Sequence, residues 1–221
     1  MSGGEWVPFA VVGFIGAAVW AGSAISGRRR RCFDRLAERL QGESGGNGFF
    51  RNFYFRGRYK GRPLYVRYYP GGRSSPSSLE FTLADPLFLF DLEITPENGL
   101  EKALDYLGLT GDLRAGEPGF DGRFRVSSSV TDLAGRYLAD PATRARIGSL
   151  FDAGASRLRL EPRGATIPGL ISFSLRDPDL ELALDLQRLA PLLDLLDQLS
   201  SPRLGAELFG APPPGPGRGR A

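Results

Sequence analysis

The chain has 221 residues, 28 basic against 25 acidic side chains, one cysteine and no histidine. Without histidine neither a Ser-His-Asp nor a Cys-His catalytic arrangement can form. A single cysteine supplies neither an intramolecular disulfide nor a Cys/His zinc site.

Residues 6–26, WVPFAVVGFIGAAVWAGSAIS, contain no charged side chain, and Arg28, Arg29, Arg30 and Arg31 follow at once. A membrane-spanning helix needs about 20 mostly apolar residues. The spacing therefore predicts one transmembrane helix over 6–26, with Trp6 at its interface and Pro8 in its first turn. A cleaved signal peptide is the rival reading, but the preceding MSGGE has no basic residue and one acidic one, Glu5. The arginines lie on the C-terminal side, which predicts a five-residue tail outside and a cytoplasmic domain at a bacterial inner membrane. Two lysines against 26 arginines point to a GC-rich bacterial genome. Gly13, Ala17 and Ala21 at four-residue spacing would suit a homodimer of spans, although small residues are common in any membrane helix.

Residues 27–41 read as a basic juxtamembrane helix with the stripe Phe33, Leu36, Ala37 and Leu40, continuing the span or lying along the surface. Residues 42–48, GESGGNG, read as a flexible linker. A cytoplasmic α+β domain is expected over 49–200, a mainly antiparallel sheet packed with helices, and a disordered Pro/Gly tail over 201–221.

Within the domain, residues 50–70 predict a β-hairpin around the turn Lys60-Gly61. A tight turn puts Phe53, Phe55, Leu64, Val66 and Tyr68 on one face. Tyr54, Arg56, Arg58, Tyr65 and Arg67 then share the other. Strands are expected at 79–84, 87–94 and 124–129, and a helix at 96–107. Two short helices at 131–139 and 142–153 are split by Asp140-Pro141. A second hairpin spans 156–177, and a helix over 180–199 is kinked or restarted at Pro191.

Charge is divided along the chain. Residues 28–73 carry 13 basic and 3 acidic side chains, net +10, whereas residues 74–200 carry 12 and 20, net −8. The basic part adjoins the predicted span, and the cytoplasmic leaflet is anionic. Arg28 to Arg31 together with Tyr54, Arg56, Arg58, Tyr65 and Arg67 are therefore the candidate contacts for lipid headgroups or a protein partner; nucleic acid is the weaker expectation. No phosphate-binding glycine motif occurs, no cofactor is implied, and a non-enzymatic interaction or scaffolding role is expected. The competing chemistry is a divalent-metal hydrolase using Asp112 and Asp121, nine residues apart, against the ordinary reading of Asp-Gly pairs as turn residues.

The stretches FRGRYKGRPLYV (55–66), FDGRFRVSSS with RYLADPATRARIGSLF (120–151) and LAPLLDLLDQL (189–199) resemble an uncharacterised family of bacterial membrane-associated proteins. The resemblance implies N-terminal spans before a cytoplasmic domain, two in most members where this chain has one. It implies no activity, so no functional residue is carried over.

Overall fold

The computed structural model describes residues 26–47, 52–84, 88–97, 113–164 and 168–200. The span predicted at 6–26, the helix at 96–107, Asp112 and the tail at 201–221 lie wholly or almost wholly outside these residues. Among the described residues no helix is long and apolar enough to cross a membrane.

Helix α1 covers 26–39. It is followed by strands β1 (Glu43–Asn47), β2 (Asn52–Tyr59), β3 (Arg62–Tyr69), β4 (Ser78–Ala84) and β5 (Leu92–Pro96). Then come α2 (Pro118–Asp121), β6 (Phe124–Ser127), α3 (Thr131–Ala139) and α4 (Pro141–Asp152). The last described elements are β7 (Ala155–Glu161), β8 (Leu170–Arg176), α5 (Leu180–Ala183) and α6 (Leu186–Leu199). The strands form one antiparallel eight-stranded sheet in the order β1-β2-β3-β4-β8-β7-β5-β6. The fold is α+β with an antiparallel sheet, as strand pairs preceding helices in both halves predict.

Period-two patterning decides which face is covered. Phe53 and Phe55 of β2, Leu64 and Val66 of β3, Leu79 and Phe81 of β4 and Phe173 of β8 are all buried on one face. The described helices pack there, giving two layers with a single core. The β2–β3 register is the predicted one, with Phe55 opposite Val66 and Phe53 opposite Tyr68. Lys60 and Gly61 both have positive φ, 49° and 82°, the backbone of a tight hairpin turn whose twist matches the strands. Asp140 caps α4 by accepting from the amides of Ala142 and Thr143, and Pro141 fills the first helical position, so the Asp-Pro pair does separate α3 from α4.

The structure corrects the sequence reading at the start of the domain. Residues 42–48 are not a linker: β1 occupies most of that stretch and pairs with β2 along its length. A Cβ on Gly46 would stand 2.4 Å from the Asn52 carbonyl oxygen, and one on Gly45 would meet the Tyr54 ring. The glycines that suggested flexibility are there because the strands approach closely. The helix at 27–41 is part of the domain, with its stripe packed on the sheet. Cys32, Phe33 and Leu36 are buried, and the Phe33 ring stacks on Phe53 with centroids 6.0 Å apart. The domain therefore begins at α1 and not at residue 49.

Two further boundaries move. The strand predicted at 87–94 starts only at Leu92; before it, Phe88 and Phe90 turn inward onto the buried ring of Tyr137. The helix predicted over 180–199 breaks at Leu184 and Asp185, and Pro191 is accommodated inside α6. Residues 118–121, leading into the Asp121-Gly122 turn pair, form the single turn α2, capped by the Glu117 carboxylate.

Candidate functional site

The face of the sheet opposite the core is polar, and no described helix covers it. Tyr54, Arg56, Arg58, Tyr65 and Arg67 all project from it, so the structure brings together the five hairpin residues singled out by alternation. Tyr54 and Tyr65 are 40% and 42% exposed. Tyr69 joins them at 39%. Register extends the pattern across the sheet: Arg56, Tyr65, Thr82, Ser172, Arg159 and Glu93 stand side by side on successive strands. The Arg56 guanidinium lies 5.2 Å from the Tyr54 ring centroid, and Arg67 lies 5.9 Å from that of Tyr69. Arg67 donates to the Tyr69 hydroxyl at 3.1 Å, and that hydroxyl donates to Glu80 at 3.2 Å. The hydrogen bond to Tyr69 raises the Arg67 pKa further above its ordinary value. On the far strands Arg157 and Arg159 share Glu93 at 3.3 and 3.8 Å.

The arginines of α1 occupy a different place, on the helical layer. Arg28 makes a two-pronged contact with Glu181 of α5, at 2.9 and 2.8 Å. Arg29 sits over the Tyr68 ring at 5.0 Å, and Arg30 reaches Asp34 at 3.8 Å. Arg31 is exposed. The bond to Arg28 lowers the pKa of Glu181, and Arg35 and Arg31 push in the same direction. The basic and acidic stretches, separate in sequence, are thus interleaved in space: the acidic start of α5 lies on the basic α1.

A third cluster, absent from the sequence reading, joins the hairpin turn to α6. The Tyr59 hydroxyl approaches Asp194 at 2.5 Å and the Ala190 carbonyl at 3.2 Å. Lys60 pairs with Asp194 at 2.7 Å. Arg62 pairs with Asp197 at 2.8 Å, donates to the Ala84 carbonyl at 3.0 Å and also bonds Ser200. Burial, then the bond to Asp194, pushes the Tyr59 hydroxyl well above its usual range, and Lys60, then Tyr59, holds the Asp194 carboxyl below its own. The acidic pair three residues apart on a Leu-rich helix is the signal that could have suggested it, but nothing in the sequence names the partners.

Asp121 accepts from the backbone amides of Ala115 and Gly116 at 2.8 and 3.0 Å, the behaviour of a turn residue. Asp112, its proposed partner, lies outside the described residues, and among those residues no group of three or more carboxylate, Cys or His side chains could hold a metal ion. A groove of about 490 Å³ runs between α2 and α4, lined by Phe120, Phe124, Arg123 and Arg144. Its arginines are already paired with carboxylates of the groove or with backbone carbonyls. Arg123 pairs with Asp152 at 2.5 Å, and Arg144 donates to the carbonyls of Leu138 and Ala139. Among the described residues no buried side-chain donor or acceptor is left without a partner. Comparison with known proteins adds no constraint: no family model matches the chain, and neither does any curated protein.

Proposed function

We propose that this protein is a single-pass, membrane-tethered interaction domain on the cytoplasmic side of a bacterial inner membrane, contacting anionic headgroups and presenting a polar sheet face to a partner. The observation that carries this reading is the passage in sequence from a charge-free apolar segment directly into α1, a helix whose apolar stripe is buried in the domain core. The glycine-rich stretch between α1 and β2 is itself a paired strand, which ties α1 to the sheet. A domain joined in this way is held against the bilayer, within reach of the surface potential that attracts Lys and Arg.

The stretches that resemble the uncharacterised membrane-associated family fall on the β2–β3 hairpin, on α2 to α4 and on α6. They hold much of the core, including Phe55, Leu64, Val66, Tyr137, Ile147, Leu193 and Leu196, so the resemblance supports a shared scaffold with no shared chemistry.

Membrane fractionation tests the proposal. The full chain should stay in the pellet after alkaline carbonate extraction. Protease added to spheroplasts should spare the domain, and protease added to inverted vesicles should digest it. Release by carbonate, or digestion from outside, overturns the reading.

A further inference from the structure

We infer that one end of the sheet, formed by the start of α1, the connection from β3 to β4 and the last residue of β8, is the surface that rests on an anionic bilayer. The inference builds on the tethered reading, since α1 leads back into the apolar segment.

Register fixes which side chains share that end. Phe53, Tyr68, Leu79 and Leu175 stand side by side across β2, β3, β4 and β8, and α1 places Phe33 on Phe53 and Arg29 on Tyr68. One residue further, Tyr69 pairs with Ser78 and Ser78 with Arg176. The β3–β4 connection, which contains Arg73, closes the same end. Exposed Arg67, Arg73 and Arg176 therefore gather at one rim, with the half-exposed Tyr69 ring beside them. A tyrosine with an apolar body and a polar tip suits the headgroup region.

The acidic groups at this rim have partners of their own. Asp177 accepts from the Ser77 amide and hydroxyl at 2.8 and 3.1 Å. Asp179 caps α5 through the Glu181 amide, Glu181 holds Arg28, and Glu80 accepts from Tyr69. At the opposite end the arrangement reverses: Lys60 and Arg62 are paired with Asp194 and Asp197. Arg58 projects near that turn.

Distance decides between the two ends. An eight-residue strand at about 3.3 Å per residue is some 25 Å long, roughly three Debye lengths in physiological salt. Cations at the turn are screened from a surface at the rim, so only one end can add electrostatic attraction. Arg73 and Arg176, both exposed and in no ion pair among the described residues, mark the rim as that end against Arg58 alone at the turn, and the predicted span adjoins the start of α1 in sequence.

The test uses the full chain reconstituted in vesicles with about 30% anionic lipid. A fluorophore is attached at Ser74→Cys in the β3–β4 connection or at Arg58→Cys near the turn, Cys32 being 3% exposed and shielded from the reagent. Quenching by headgroup-labelled lipid should be several-fold stronger at 74 than at 58. Arg73→Glu with Arg176→Glu should reduce the signal at 74 roughly twofold or more in anionic vesicles and leave it unchanged in neutral ones. Equal or stronger quenching at 58, or no response to the charge reversals, overturns the inference while the tether stands. Failure of the wild-type chain to float with the vesicles removes the tether and this inference with it.

Discussion

The two ends of the β2–β3 hairpin carry the same residue types and use them in opposite ways. At the turn, Tyr59, Lys60 and Arg62 are drawn onto Asp194 and Asp197 of α6, and the Arg62 and Asp197 side chains are only 20% and 29% exposed. At the other end, Arg67 donates to the Tyr69 hydroxyl, which donates to Glu80, with Arg73 and Arg176 exposed beside them. The difference comes from the helical layer. Carboxylates of α6 meet the turn, whereas the acidic start of α5 is taken up by Arg28 and by its own cap. Arginine and tyrosine do not by themselves mark a binding surface; the charge of the packed element opposite decides whether they fasten the fold or face outward.

The comparison breaks most severely if α1, which runs between the two ends, is removed. A chain starting at Gly42 loses Phe33 and Leu36 from the core, each side chain representing about 1.5–3 kcal/mol of burial, against a typical total stability of about 5–15 kcal/mol. That fragment should show no cooperative melt by circular dichroism, whereas one starting at Ser26 should unfold cooperatively. Cooperative unfolding of the shorter fragment would return residues 27–41 to the periphery.

Next in size is Arg62→Ala at the turn. It removes charged hydrogen bonds to Asp197 and Ser200 and leaves the Ala84 carbonyl short of a donor, at a cost of about 2–3 kcal/mol in urea unfolding. Tyr59→Phe deletes one hydroxyl and should cost about 1 kcal/mol. The Asp194 carboxyl, held below its ordinary value by Lys60 and Tyr59, adds a pH dependence. Its contribution is fully present above the unfolded-state pKa of about 4 and is lost as pH falls through the lower folded value. Asp194→Asn should abolish that acid-side component and leave other pH dependence in place. Smallest of all, Arg73→Ala and Arg176→Ala at the rim should each change stability by less than about 0.5 kcal/mol. A larger loss would mean that the rim, too, is fastened to the fold.

The hairpin was legible in the sequence because alternation and a Lys-Gly turn are local signals, and its register followed from counting outward from the turn. The Asp140-Pro141 boundary was legible for the same reason. Strand β1 was not: Glu43 to Asn47 contains no apolar side chain, so its pairing with β2 leaves no period-two mark, and its glycines imitate a linker. The stripe on α1 was visible, but a stripe does not say what covers it, and Phe53 lies 20 residues away from Phe33. The outward Arg/Tyr face could be read from residue types, whereas the division between its two ends could not. That division depends on pairs such as Tyr59 with Asp194, 135 residues apart, which only the fold brings together.

Hydrogen–deuterium exchange of the full chain in nanodiscs, anionic against neutral, would show which end of the sheet meets the bilayer. Exchange should slow over 70–77 and the start of α1 in the anionic discs, with the amides of the Lys60-Gly61 turn unchanged. Protection appearing at the turn, or at neither end, would contradict contact through the rim.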